Sequence, residues 1–293
     1  GSQNFKIKRK YYTEDMPDGR VKHIVQNITD PDIVPYIPDG IGNSTDRQRI
    51  PAVLIIPGGA FRRLVYNFEG EDVAKWLNSM GIAAFVLECR LPSDEHDNAE
   101  DVPLIDAMRA MRVIRGRAQE FGIDEAKIGV MGFSAGGFMA ALLSTAYESD
   151  VYADYKYKDE YDELSARPDF AVCSYPVISI DDCIEAGKRY MSEEQVLERI
   201  SDSKAKILHK YNPDKLVRPD MPPVFICETD DDRTTLSENS VGFYMAARKA
   251  GVSAELHIFR TGGHGYGCGD DFAQTGEWKV LFTKWIKSIG IIS

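Results

Sequence analysis

The sequence predicts one α/β domain, a doubly wound and mostly parallel sheet with helices on both faces. Strand-like and helix-like segments alternate through most of the 293 residues, which is how βαβ units read in a sequence. No Pro/Gly/Ser-rich linker and no internal repeat interrupts the alternation, so residues 1–293 are expected to form a single domain. Hydrophobic residues make up 43% of the chain, enough to supply a sizeable core.

Along the chain, "VKHIVQN" (21–27) is the clearest of the antiparallel edge strands expected in the N-terminal fifty residues. "AVLIIPGG" (52–59) reads as a buried strand, "EGEDVAKWLNSMG" (69–81) as an amphipathic helix stopped by Gly81, and "AAFVLECR" (83–90) as the next strand. Helical spacing resumes over 101–122, and the buried strand "KIGVMG" (127–132) follows, running into a helix that begins at Ser134. Strands are then expected at 169–177, 222–228 and 253–259, and helices at 238–251 and near 276–289. In such a sheet the loops leaving the carboxyl ends of the strands line the ligand crevice. Residues 147–168 enter a strand and should therefore sit away from the chemistry. Residues 178–220 leave one, and with a charged helix near 192–210 they are expected to form a small cap segment over the site.

Composition excludes several classes. Thirty-five Lys plus Arg against forty-six Asp plus Glu give a formal charge of −11. No basic block is interleaved with aromatics, so neither nucleic acid nor an anionic membrane is an expected partner. The five cysteines (Cys89, Cys173, Cys183, Cys227, Cys268) are odd in number, widely spaced and without a CxxC pair, which favours buried free thiols over a disulfide framework or zinc cage. No stretch approaches the length of a membrane span. The first residues, "GSQNFKIKRKYY", lack the apolar run of a signal peptide, although their Gly-Ser start is compatible with a removed leader; the cytoplasm is the expected location.

The most informative stretch is Gly132-Phe133-Ser134-Ala135-Gly136, at the corner where a strand becomes a helix. Such a corner strains the central residue and leaves no room for side chains two positions away, while lifting the serine hydroxyl to a helix N-terminus. A phosphate-cradling turn would need a P-loop lysine, which is absent. A serine needs a base, and the base needs a carboxylate to fix its tautomer. Of the five histidines, His23 and His257 lie in strand patterns, His209 on the cap helix and His96 in an acidic loop. His264 alone sits on a glycine-rich loop, "RTGGHGYG", that leaves the last strand at its carboxyl end. The preceding strand ends in Asp230, Asp231 and Asp232, one of which is the expected acid. The order Ser, Asp, His is that of α/β-hydrolases. The turn "IIPGGAF" (55–61) offers Gly58, Gly59 and Ala60 as backbone donors for an oxyanion, with Ala135 supplying another N–H.

Taken together, "PGGAF", "EGEDVAKWLNSMGIAAFVLECRLP", "GFSAGGFMAA", "SARPDFAVCSYPVIS", "ENSVGFYMAARKAGVSAELHIF" and "GGHGYG" resemble α/β-hydrolase-fold carbohydrate esterases of the acetyl-xylan-esterase-like group. The resemblance covers roughly residues 50 to 290. It implies Ser134 as nucleophile, His264 as base, and the N–H groups of Gly59, Ala60 and Ala135 as the oxyanion hole. The family's Asp-x-x-Val-Pro, counted back from Glu238, puts Asp232 at the acid and Thr235 and Leu236 at Val-Pro. Because Val-Pro is lost here, Asp230 or Asp231 could serve if the loop is shifted. Cys89 stands where tyrosine is common and Phe138 where histidine is common.

The reading that follows is a serine esterase of the carboxylesterase type, without metal or cofactor, that deacetylates small acetylated carbohydrates such as acetylated xylo-oligosaccharides. Its rivals are an arylformamidase, a feruloyl esterase or a small peptide or lactone hydrolase on the same fold, and an inactive binding protein that retains the fold.

Overall fold

The computed structural model describes residues 7–40, 49–153, 155, 157–189, 191–200, 203–269 and 274–293. Its elements run β1 (Lys10–Asp15), β2 (Val21–Gln26), β3 (Asp32–Tyr36), β4 (Ile50–Ile56), β5 (Leu64–Val65), α1 (Asp72–Ser79), β6 (Ala83–Glu88), α2 (Val102–Gly116), α3 (Ala118–Phe121), β7 (Ile123–Phe133) and α4 (Ala135–Ala146). They continue with β8 (Ala171–Ser174), α5 (Ile180–Lys188), α6 (Glu193–Ile200), α7 (Ser203–Lys210), β9 (Val224–Thr229), α8 (Ser237–Lys249), β10 (Ala254–Phe259) and α9 (Glu277–Ser288). Among the described residues, seven strands form the main sheet in the order β10-β9-β8-β7-β4-β6-β3. Every pairing in it is parallel except the edge pair β3–β6.

Alternation along the central strands explains the two layers. In β4, Ala52, Leu54 and Ile56 join one core cluster with residues of α2, α4 and α8, while Val53 and Ile55 join the other with residues of α1 and α9. Both faces of the sheet are covered, so β4 is buried from its second residue to its last, as a central strand between two helical layers must be.

The structure corrects four expectations. "VKHIVQN" is not an edge of the main sheet: β2 pairs with β1 and with β5, through Ile24 opposite Val65 and Val25 opposite Leu64, in a separate three-stranded sheet. The antiparallel edge is β3, whose mixed exposure carries little periodic signal. The strand expected at 169–177 stops at Ser174, because Tyr175 turns to φ 38°, outside the extended range. The helix expected from Glu69 opens with a π-helical turn over Asn67–Glu71 before becoming α1. The charged helix near 192–210 comprises two helices, α6 and α7, with residues 201–202 between them outside the described residues.

The 147–168 segment is fastened to α2. Arg109 pairs with Asp159 and Asp162, and the Arg112 guanidinium lies 4.1 Å from the Tyr152 ring centre. Two side chains of the 178–220 segment reach helix starts elsewhere in the fold: Tyr211 donates to Asp101 just before α2 (2.5 Å), and Arg189 pairs with Glu238 in the first turn of α8 (2.9 Å).

Candidate active site

The strand-to-helix corner has the shape its glycines foretell. Ser134 sits at φ 53°, ψ −117°, a conformation costing on the order of 1–3 kcal/mol for a residue with a side chain. A Cβ on Gly132 would lie 1.9 Å from the carbonyl oxygen of Gly136, and one on Gly136 would lie 1.9 Å from that of Ile56. Neither position accepts any other residue without moving backbone. The corner therefore holds the Ser134 hydroxyl at the start of α4, above the carboxyl end of β7.

Three of the residues singled out from the sequence meet there. Ser134 Oγ lies 2.9 Å from His264 Nε2, and His264 Nδ1 lies 2.6 Å from Asp232 Oδ2. Both contacts are within hydrogen-bond reach, and the line from hydroxyl to carboxylate is unbroken. The other two aspartates do different work. Asp231 Oδ1 accepts the N–H groups of Gly262 (3.0 Å) and Gly263 (2.8 Å), pinning the loop that carries His264. Asp230 is exposed, and its N–H donates to Phe259 across the strand ends.

Asp232 is fully enclosed, and burial pushes its carboxyl upward. Hydrogen bonds from His264 and from the N–H groups of Thr234 and Thr235 outweigh that, and the net shift is downward. Thr235, which replaces the family's valine, adds its hydroxyl to Asp232 Oδ2 at 2.9 Å. The departure thus supplies a hydrogen bond to the acid. Behind Asp232 lies Glu228, also buried, whose carboxyl is pushed well up by desolvation and next by the Asp232 charge. Glu228 accepts from the N–H of Thr229 and the hydroxyl of Ser240.

The turn after β4 brings backbone donors toward the serine. Gly59, Ala60 and Phe61 all have positive φ (139°, 57° and 62°), which curls the chain back on itself. The N–H groups of Gly59, Ala60 and Ala135 make no hydrogen bond to the rest of the described chain. Unsatisfied donors at the start of a helix and on a tight turn suit an oxyanion. The Gly58 N–H is committed elsewhere, to Glu69 Oε2 at 2.8 Å.

A narrow cavity of about 10 Å³ adjoins two of these donors, Gly59 and Ala135, and is walled by Phe61, Cys89, Leu91 and Met139 among others; Ser134 and His264 do not line it. It holds roughly one water-sized or methyl-sized group. Cys89 forms part of its wall. Phe138 does not reach solvent; it packs edge-on against Phe61 at 5.5 Å and so supports the same turn. A larger cleft of about 540 Å³ lies between β3, α2 and Tyr155 and Tyr157, but Ser134, His264 and Asp232 do not line it.

Two other histidines lie away from this line. His96 is buried with Nε2 3.2 Å from the Ile28 carbonyl, and His257 pairs with Glu255 on its own strand. Sequence reading missed Glu69 and Tyr175, and it met Thr235 only as a departure from the acid's motif. Glu69 was visible only as an acid within an amphipathic segment, and Tyr175 only as one more aromatic at a strand end.

The BD-FAE family model matches residues 41–246. An acetylxylan esterase of Xylanibacter ruminicola is 31% identical over 240 residues, covering 81% of this chain and 45% of that protein. Endo-1,4-beta-xylanase B of Butyrivibrio fibrisolvens is 31% identical over 227 residues, covering 77% and 34%. The chain thus spans less than half the length of either curated relative. Among solved structures, an acetyl ester-xyloside bifunctional hydrolase from Caldicellulosiruptor lactoaceticus superposes with a TM-score of 0.72 at 38% identity, over 90% of this chain and 89% of that one. A carboxylesterase from Lactobacillus plantarum gives a TM-score of 0.71 at 20% identity over 98% and 99%, a likeness of fold alone.

Proposed function

The chain belongs to the BD-FAE family and has the α/β-hydrolase fold, and from that premise we propose that it is a serine esterase that removes acetyl groups from small acetylated carbohydrates. The observation that carries the reading is the unbroken line Ser134 Oγ, His264 Nε2, His264 Nδ1, Asp232 Oδ2 at a strand-to-helix corner. In this reading His264 takes the Ser134 proton as Oγ attacks the acyl carbon. Asp232 holds Nδ1–H and favours the imidazolium that forms. The tetrahedral oxyanion receives the N–H groups of Gly59, Ala60 and Ala135. Collapse expels the sugar hydroxyl, protonated from His264 Nε2, and leaves an acyl-serine. Water, deprotonated by the same imidazole, then releases acetate and restores Ser134.

Support for a short acyl group comes from the narrow cavity beside Gly59 and Ala135. Each buried methylene is worth at most about 0.8 kcal/mol, and a methylene that meets the walls of Cys89, Leu91 and Met139 loses more than it gains. Support for a carbohydrate comes from the relatives, whose names join an acetyl ester to xylan or xyloside. The test is a series of aryl esters of rising chain length together with acetylated xylo-oligosaccharides. Specificity constants should fall beyond acetate or propionate, and acetate should be released from the oligosaccharides. A maximum at octanoate, or no acetate from any acetylated sugar, would overturn the substrate assignment.

A further inference from the structure

Beneath the serine and histidine lies a buried carboxyl that the proposed chemistry does not use. Glu69 projects from the π-helical turn over Asn67–Glu71 and is almost fully enclosed. Leaving a carboxyl in such a place is costly unless its oxygens are hydrogen-bonded. Both are: Oε2 accepts the Gly58 N–H (2.8 Å), and Oε1 accepts the Tyr175 hydroxyl (2.9 Å). The Tyr175 oxygen in turn accepts the Gly267 N–H at 3.1 Å. The result is a chain of hydrogen bonds that converges on Glu69: Gly267 N–H donates to the Tyr175 oxygen, Tyr175 O–H donates to Oε1, and Gly58 N–H donates to Oε2. One end is the turn that presents Gly59 and Ala60; the other is the loop that presents His264.

Three further observations point the same way. A Cβ on Gly58 would lie 2.7 Å from Glu69 Oε2, so the turn is seated directly on the carboxyl. A Cβ on Gly267 would lie 2.6 Å from the Phe68 carbonyl, so the histidine loop rests on the same π-helical turn. Tyr175 is a bulky residue held at φ 38°, with its ring edge-on to His264 at 5.0 Å. Strain of that kind persists where the surroundings over-determine it, and it concentrates at functional sites.

We propose that Glu69 and Tyr175 are positioning residues, a buried hydrogen-bonded strut that fixes the oxyanion turn and the His264 loop in one geometry about Ser134. The assignment rests on the serine-esterase reading for its consequence, and on the hydrogen-bond chain for its existence. Small displacements of such groups cost rate more than substrate binding.

Two variants and two readouts test this. Tyr175→Phe keeps the ring against His264 and cuts the strut; kcat on an aryl acetate should fall roughly 10- to 100-fold with KM within about twofold. Glu69→Gln keeps the shape but offers one acceptor oxygen in place of two, so one joint of the strut is lost; the same split, kcat lowered with KM held, should appear, which a merely structural role would not produce. Amide hydrogen exchange should quicken at both Gly58 and Gly267 in Tyr175→Phe, since one joint holds both ends. Wild-type kcat in Tyr175→Phe with exchange altered at Gly267 alone would overturn the strut. A wild-type protein inert toward acetyl esters would instead overturn the esterase reading, and the exchange experiment would still decide whether the two loops are coupled.

Discussion

At the residue scale, the arrangement around Ser134 assigns separate duties to side chains that look alike in the sequence. Ser134→Ala should leave the fold intact and reduce ester turnover by about 10⁴- to 10⁶-fold, the residue of activity coming from the oxyanion donors and binding. Asp232→Asn should cost on the order of 10⁴-fold in kcat, since an amide at Oδ2 favours the wrong imidazole tautomer. Asp231→Asn should cost far less, because its hydrogen bonds go to Gly262 and Gly263 and not to the ring. Asp230→Asn, at an exposed position, should be close to neutral. Steady-state kinetics on purified variants with matched circular dichroism would check the order, and a crippling Asp230→Asn would place the acid elsewhere.

At the element scale, the corner between β7 and α4 depends on close backbone approach, and that dependence is measurable against a control. Gly136→Ala would force a methyl to within 1.9 Å of the Ile56 carbonyl oxygen, displacing β4 or α4; a loss of about 1–3 kcal/mol or more is expected, along with most activity. Gly242→Ala lies within α8, with nothing within 4 Å of the added Cβ, and should stabilise by roughly 0.5–1 kcal/mol. Thermal or urea unfolding of the two variants should therefore move in opposite directions. The 147–168 segment offers a second test. Arg109→Ala removes its pairing with Asp159 and Asp162 on a partly exposed surface, where such pairs contribute about 0–1 kcal/mol each. Limited proteolysis should quicken within the segment while aryl-acetate turnover is retained.

At the scale of the whole molecule, buried acids set how stability varies with pH. Burial pushes the carboxyls of Glu69, Asp94 and Glu228 above their ordinary values of 4.5, 3.8 and 4.5. A raised acid keeps in the folded state a proton that the unfolded chain releases. Its contribution is complete below the ordinary value and is lost as pH rises toward the shifted one. Asp232 has the opposite sign: its stabilisation is present above 3.8 and is lost as pH falls through its lowered value. Unfolding midpoints should accordingly decline as pH rises above the ordinary carboxylate range, with a steep loss in strong acid. Glu228→Gln should flatten that decline; a midpoint that climbs steadily as pH rises above the ordinary carboxylate range would refute the account.

What the sequence by itself determined is local in origin. The βαβ alternation, the glycines spaced about Ser134 and the placement of His264 on a loop after the last strand all follow from periodicity and from turn chemistry within a few residues. Those signals located Ser134, His264 and the aspartate run, and the resemblance narrowed the run to Asp232. What the tertiary structure decided is non-local. Only the folded chain shows that Asp232 faces the imidazole while Asp231 ties down its loop, because the three are adjacent and chemically identical. Only it shows that β2 joins a separate sheet through two residues of β5, since half-exposed strands carry no record of their partner. Glu69 and Tyr175 stand 106 residues apart, and nothing in either neighbourhood foretells their hydrogen bond. A carboxyl in an amphipathic segment reads as a solvated side chain until the π-helical turn rotates it inward, beneath the serine, where a buried acid needs partners and finds them on two other loops.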